Sequence, residues 1–260
     1  MNVLLVNEEG CFAPGIIELA KALSSGPRSH RVVIIGPINP LSGVGHTLTN
    51  GNAPIRVRQY FTQLSKVKIY AVSGTPCDCV LLGIDKLLKS KPDLIISGID
   101  SANNRGEIIL SSGVVSAAME GTIQGIPSIA LSANLEHAKG SAEFRKVAQT
   151  FAKHLTEFAR LIKPGIALNI NFPTDFSKRR IKYTHATDGI IDNKYYSEGN
   201  SFGLVYFWLK TPRMGFGLEA LEQKGDLYWL KRNYITVTPL KLNMTCEESI
   251  PLVEKAGFKL

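Results

Sequence analysis

The first two thirds of the chain alternate between short, mostly apolar runs and stretches whose apolar residues recur every three or four positions. The runs are Asn2 to Val6, Arg31 to Ile35, Val67 to Val72, Leu94 to Ile96, Ile126 to Leu131 and Ala167 to Phe172. Their length and β-branched content predict buried strands. Between them, Pro14 to Leu23 sets Ile16, Ile17, Leu19, Ala20 and Leu23 at helical spacing. Ala142 to Ile162 does the same with Phe144, Val147, Phe151, Leu155, Phe158 and Leu161. Cys79 to Leu88 and Val114 to Gly121 predict two further helices, the first with Asp78 in its opening turn as a cap and the second entered through Ser111, Ser112 and Gly113. Strand and helix in alternation predict an α/β fold.

Polar residues gather where the predicted strands end. Asn7-Glu8-Glu9-Gly10 follows the first strand, and Ser42-Gly43-Val44-Gly45-His46-Thr47 follows the second after Gly36-Pro37. Ser73-Gly74-Thr75-Pro76 and Ser97 to Gly106 follow the next two. Open α/β folds place ligands outside the carboxyl ends of their strands, so these loops are the candidate site. Two carboxylates, Glu8 and Glu9, sit on the first of them. Ser42, Gly43 and His46 belong to a glycine and hydroxyl loop suited to exposing backbone N–H groups, without the lysine of a P-loop. Ser112-Gly113 at a helix's positive end suits a phosphate. The first turn lacks the G-x-G-x-x-G pattern, which argues against a nicotinamide-dependent oxidoreductase.

Beyond Pro173 the period changes. Ile181 to Thr184, Leu204 to Leu209, Leu227 to Leu230 and Tyr234 to Val237 read as extended segments between polar and glycine-containing loops. Trp208, Trp229 and their tyrosine neighbours read as packing within an arm or across a subunit contact. The expected organisation is an α/β core over residues 1–173, a β-rich arm over 174–240, and a terminal helix and tail over 241–260.

Composition narrows the partners. The 260 residues carry a formal charge of +8 and an ordinary 44% apolar content. The charge favours an anionic ligand, and no helix-turn-helix, zinc-finger or aromatic RNA-binding motif accompanies it, so a small phosphorylated substrate is expected and a dedicated nucleic-acid partner is not. No apolar run approaches the roughly 18 residues of a membrane span, and Met1 leads straight into a strand. The expectation is therefore a cytoplasmic protein with no membrane partner. Four cysteines, Cys11, Cys77, Cys79 and Cys246, are too few and too scattered for a disulfide framework, and Cys77-x-Cys79 reads as a structural thiol pair.

The order of these loop motifs resembles the SurE family of survival-protein nucleotidases across nearly the whole chain. The resemblance rests on Asn7-Glu8-Glu9-Gly10 with Ala13-Pro14-Gly15, Gly36-Pro37 with Ser42-Gly43, Gly74-Thr75-Pro76 with Asp78, Ser97-Gly98-Ile99 with Asn104 and Gly106, and Ser112-Gly113 before Glu120-Gly121. Asn169, Asn171, Pro173 and Thr236 to Leu240 extend it. It implies a Rossmann-type three-layer core with a β-rich arm, carboxyl-terminal exchange in a homodimer or homotetramer, and divalent-metal-dependent hydrolysis of nucleoside 5'- and 3'-monophosphates. By the same resemblance, Glu8, Glu9, Ser42 and Asp100 take the metal positions, for Mg2+ or Mn2+. Asn104 and Ser112, with Glu8 and Glu9, take the catalytic ones, and Ser42, Gly43, His46, Asn104, Ser112 and Gly113 line the substrate.

Several of these positions depart from the family pattern. Glutamates replace both aspartates, Asp100 replaces an asparagine, and Ala102 stands where the family has a glycine. Gly45-His46 replaces a Ser-Asn pair, and Val114 replaces a threonine of the phosphate loop. Octahedral Mg2+ holds its ligands at about 2.0 to 2.1 Å, so an added methylene changes where a carboxylate arrives. The reading that follows is metal-assisted phosphomonoester hydrolysis, with a catalytically inactive binding or structural relative as its competitor and an oxidoreductase a distant third.

Overall fold

The computed structural model describes residues 1–26, 29–51, 53–64, 66–135, 140–178, 180–188, 194–199, 203, 205–210 and 224–255. Among them, nine strands form one sheet in the order β3 (Val57–Tyr60), β4 (Val67–Val72), β2 (Arg31–Pro37), β1 (Asn2–Val6), β5 (Leu94–Asp100), β6 (Ser128–Ala133), β7 (Ile166–Phe172), β11 (Ile235–Lys241) and β8 (Ile181–Tyr183). From β4 to β7 every pairing is parallel. β3 and β11 run antiparallel to β4 and β7, and β8 runs parallel to β11. A fully parallel centre must be covered on both faces, and the long apolar runs satisfy that requirement.

Alternate strand residues build the two faces. Val3, Leu5, Val32, Ile34, Leu94 and Ile96 pack under helices α1 (Pro14–Ser24), α4 (Ser141–Lys153) and α5 (Leu155–Leu161). Leu4, Val6, Ile35 and Ile95 face the other way, toward α2 (Pro76–Leu82) and α3 (Gly113–Ile123). Three layers result, and all the parallel strands end on one edge. There the chain departs through its loops, and a register shift against β6 between Gly98 and Asp100 puts a turn in the strand that leaves Ile99 out of the ladder while Asp100 pairs with Ser132. Gly98 permits that turn, because its φ is +138° and a Cβ would stand 2.1 Å from the Leu131 carbonyl oxygen.

The structure departs from the sequence reading in four elements. The stretch read as one helix breaks at His154 into α4 and α5, although Phe151 and Phe158 still stack across the break at 5.7 Å. Leu227 to Leu230 is not extended but lies in a helical turn, α6 (Asp226–Leu230), because Leu227 and Leu230 bury together at i, i+3. Ile235 to Val237 is extended as the pattern reads, with Tyr234 just before it, but it belongs to β11, an inner strand of the large sheet that hydrogen-bonds β7, rather than to a separate arm. β3 was not anticipated, being a polar edge strand with three of its four residues exposed.

The segment near the end holds a single turn of 3-10 helix (Glu247–Ser249) running into α7 (Ile250–Lys255). β9 (Lys194–Gly199) and β10 (Val205–Lys210) pair with each other in a separate antiparallel hairpin. No described helix is long and apolar enough to cross a membrane.

Phe151 is fully buried at the centre of the α4 face. Phe151→Ala should lower the unfolding free energy by about 3–5 kcal/mol, read from urea denaturation followed by circular dichroism.

Candidate active site

The site begins at the end of β1. Asn7 closes the turn after the strand, its Nδ2 donating to the Gly10 carbonyl at 2.8 Å and its Oδ1 accepting from the Gly10 N–H at 3.2 Å. The Leu41 N–H donates to the Glu8 carbonyl at 2.8 Å, which ties the loop after β2 to the loop after β1.

The Glu8 side chain then crosses to α3. Its Oε2 accepts from the Gly113 N–H at 2.6 Å and the Val114 N–H at 3.3 Å, and its Oε1 accepts from the Ser42 hydroxyl at 3.1 Å. The helix offers these N–H groups because its first turn has no internal acceptors for them, and its dipole favours a negative charge there. Ser112 caps the same helix, its Oγ accepting from the Val115 N–H at 3.1 Å. Gly113 allows the approach, since a Cβ would lie 2.7 Å from Glu8 Oε2 and 3.0 Å from Pro76. Gly43, with φ +76°, lies on the exposed part of the neighbouring loop.

Glu9 and Asp100 hold other partners. Glu9 Oε1 accepts from the Ser101 N–H at 3.1 Å and the Ser101 hydroxyl at 2.5 Å. Asp100 Oδ1 accepts from the Ala102 N–H at 3.1 Å, and its Oδ2 accepts from Asn104 Nδ2 at 2.7 Å. Asn104 is itself pinned through its carbonyl, which accepts from Asn169 Nδ2 at 2.6 Å and Asn171 Nδ2 at 3.0 Å. Burial, and then the nearby Glu8 carboxylate, push the Asp100 carboxyl up to about 7. Burial also raises Glu8, against the pull of its Ser42, Gly113 and Val114 hydrogen bonds.

These groups test the implied metal. Three carboxylates and a hydroxyl have the hard-oxygen chemistry that Mg2+ or Mn2+ prefers. Their positions do not suit one ion: Glu8 is committed to α3 and Ser42, Glu9 to Ser101, and Asp100 to Ala102 and Asn104. Among the described residues, no three His, Cys, Asp or Glu side chains converge where a metal ion could be held. In this arrangement the residues do not fit the group.

His46 lies elsewhere. Its Nε2 pairs with Glu120 Oε2 at 2.7 Å, on the third turn of α3. The rest of its loop is held just as firmly. Gly45 N–H donates to the Ser111 carbonyl at 2.9 Å, the Thr75 hydroxyl to the Thr47 carbonyl at 2.6 Å, and the Thr49 hydroxyl to Asp78 Oδ2 at 2.6 Å. Asp78 also completes a capping box with Thr75 at the start of α2, so the cap read from sequence doubles as a loop anchor.

Sequence reasoning overlooked Asp226. Fully buried, it accepts from the Gly106 N–H at 3.0 Å and from the Thr187 N–H and hydroxyl at 3.0 and 2.7 Å. It therefore anchors the segment that follows Asn104. Its only local signal is Gly225-Asp226 before a short apolar turn, which names a cap and says nothing of Gly106. Burial pushes the Cys11 thiol up to about 11 and the Cys77 thiol up to about 12, which keeps both protonated near neutral pH.

The family profile described as Survival protein SurE matches residues 3–193. The chain belongs to the SurE family. It is 37% identical over 256 residues to a 5'-nucleotidase SurE of Clostridium beijerinckii, covering 94% of each chain. It is 38% identical over 250 residues to that of Aquifex aeolicus, covering 93% of this chain and 92% of the relative. The crystal structure of the SurE protein from Aquifex aeolicus superposes with a TM-score of 0.78 at 34% identity, covering 98% of this chain and 99% of that one. The SurE resemblance and the α/β fold it implied are thus both established, and the chain is classed with a family of phosphomonoesterases that is metal-dependent in general.

Asp100 titrates near 7 when folded and near 3.9 when unfolded. Between those values the folded chain holds the extra proton, so the stability this group contributes is complete below pH ~4 and is lost as pH rises through ~7. Asp100→Asn should flatten that decline and be the more stable protein at pH ~8, in urea titrations run on both sides of neutrality.

Proposed function

We propose that this SurE-family chain hydrolyses nucleoside 5'-monophosphates, and 3'-monophosphates as a second class, to nucleoside and phosphate. The observation that carries the reading is the seat of Glu8: the amino end of α3 already receives an anion through two backbone N–H groups. A phosphoryl group there would take the Gly113 and Val114 N–H groups and the Ser112 and Ser42 hydroxyls. Asn104 would add a donor to the non-bridging oxygens as charge redistributes in the transition state. The family's metal dependence supports Mg2+ or Mn2+ as the activator; Glu8, Glu9, Ser42 and Asp100 would serve as ligands only in another arrangement, with Glu8 off α3, Glu9 off Ser101 and Asp100 off Ala102 and Asn104.

The test is phosphate release from AMP, GMP, 3'-AMP and short polyphosphate with Mg2+, Mn2+ or chelator. Release should require the metal, and Asn104→Ala should lower kcat by about 10²-fold with the fold intact. No release anywhere in that grid by folded protein rejects the enzyme. It would favour the second reading, a binding protein whose ancestral site Glu8 fills.

The hairpin of β9 and β10 supports a homodimer or homotetramer. Tyr195, Tyr196, Val205, Phe207, Trp208 and Leu209 are each at least half exposed there, a density of apolar surface that a lone chain in water does not sustain. A second copy is the proposed cover. Phe207→Glu together with Trp208→Glu should shift the protein to a lower oligomer in light scattering after size exclusion, while its circular dichroism is retained.

A further inference from the structure

The proposed phosphate seat is already taken. Glu8 Oε2 lies 2.6 Å from the Gly113 N–H and 3.3 Å from the Val114 N–H, at the amino end of an eleven-residue helix, and Glu8 Oε1 holds the Ser42 hydroxyl. Two anionic oxygens compete for one pair of N–H donors, because each must lie along the same N–H directions and they repel each other at contact distance. The side chain is only 4% exposed, so it sits in the seat and does not hover at its rim. Hydrogen bonds from N–H groups to a carboxylate are among the stronger kind, and the helix dipole adds to them.

We propose that Glu8 is an internal competitor for the phosphate seat: it closes the amino end of α3 in the resting chain and must be displaced before a phosphoryl group binds. The disagreement between the acidic residues and a metal site then has a cause. The carboxylate best placed by sequence to hold a hard cation is spent on α3 and on the Ser42 hydroxyl, and displacement would free both groups. Any ligand able to open the seat must present a compact, multiply charged oxyanion, which a phosphomonoester does and a carboxylate ester does not.

The inference rests on the phosphate reading of this site, and its test needs no turnover. Inorganic phosphate is titrated into the metal-free protein, with chelator present, by isothermal calorimetry. Glu8→Ala should bind phosphate about tenfold or more tightly than the wild type, since it no longer exchanges one strong hydrogen-bonded anion for another. Glu9→Gln removes the same charge from the same loop without touching α3, and should change the affinity by less than about threefold. The amide proton of Gly113 supplies a second readout. It should move upfield in Glu8→Ala and return downfield when phosphate is added.

Equal phosphate affinity in Glu8→Ala and wild type overturns the proposal, as does an equal gain in Glu9→Gln, which would make the effect one of general charge. Should Glu8→Ala fail to fold, Glu8→Gln keeps the shape with a weaker acceptor and must still gain affinity. If the nucleotidase screen fails while Glu8→Ala gains phosphate affinity, the function falls and the competitor stands. The reverse pair of results removes the competitor and leaves the function.

Discussion

One carboxylate on the amino end of one helix ties the candidate-site edge of this molecule together. Glu8 is 105 residues from Gly113 in sequence, and its side chain joins the end of the first central strand to the helix covering the opposite half of the sheet. The same carboxylate holds the loop after β2 through Ser42. Burying a charged group would be strongly unfavourable without such partners, and the helix supplies them at the one place where its N–H groups have no others. The contact is possible only because Gly113 has no side chain to obstruct it and because the glutamate has the reach to make it.

The residues around that contact are held by polar anchors drawn from far along the chain. Asn169 and Asn171 grip the Asn104 carbonyl from β7, and Asp226 grips the Gly106 N–H from beyond the hairpin. His46 and Asp78 fasten the glycine loop to α3 and α2. Each buried hydrogen bond contributes modestly, but leaving any of these groups without a partner would be costly, so the set behaves as a unit. This rigidity suits a phosphate-binding edge, where donors must already be in place when charge develops. It also places the movable element: among the carboxylates, Glu8 is the one whose acceptor role an incoming anion can take over.

Much of this was readable along the chain, for identifiable reasons. Strands β1, β2, β4, β5, β6 and β7 show as apolar runs because they are buried on both faces, and α1 shows as a helical stripe because it is buried on one. The elements that escaped are those whose signal is weak locally. Edge strand β3 is polar, the break at His154 lies inside an uninterrupted apolar stripe, and the turn at Asp226 owes its helical form to the burial of Leu227 and Leu230. Of the candidate site, the loops were identifiable as loops, and Ser112 and Asp78 as caps, since capping depends on neighbours only three residues away.

Sequence alone therefore determined the layers, the edge of the sheet where the polar loops meet, and the family, because burial patterns and motif order are properties of the linear chain. Only the tertiary structure decided what each acidic side chain touches. Whether Glu8 faces Asp100 or α3 is a competition between acceptors and donors more than ninety residues apart. That competition exists only once the sheet has brought β1, β5 and the start of α3 to the same edge.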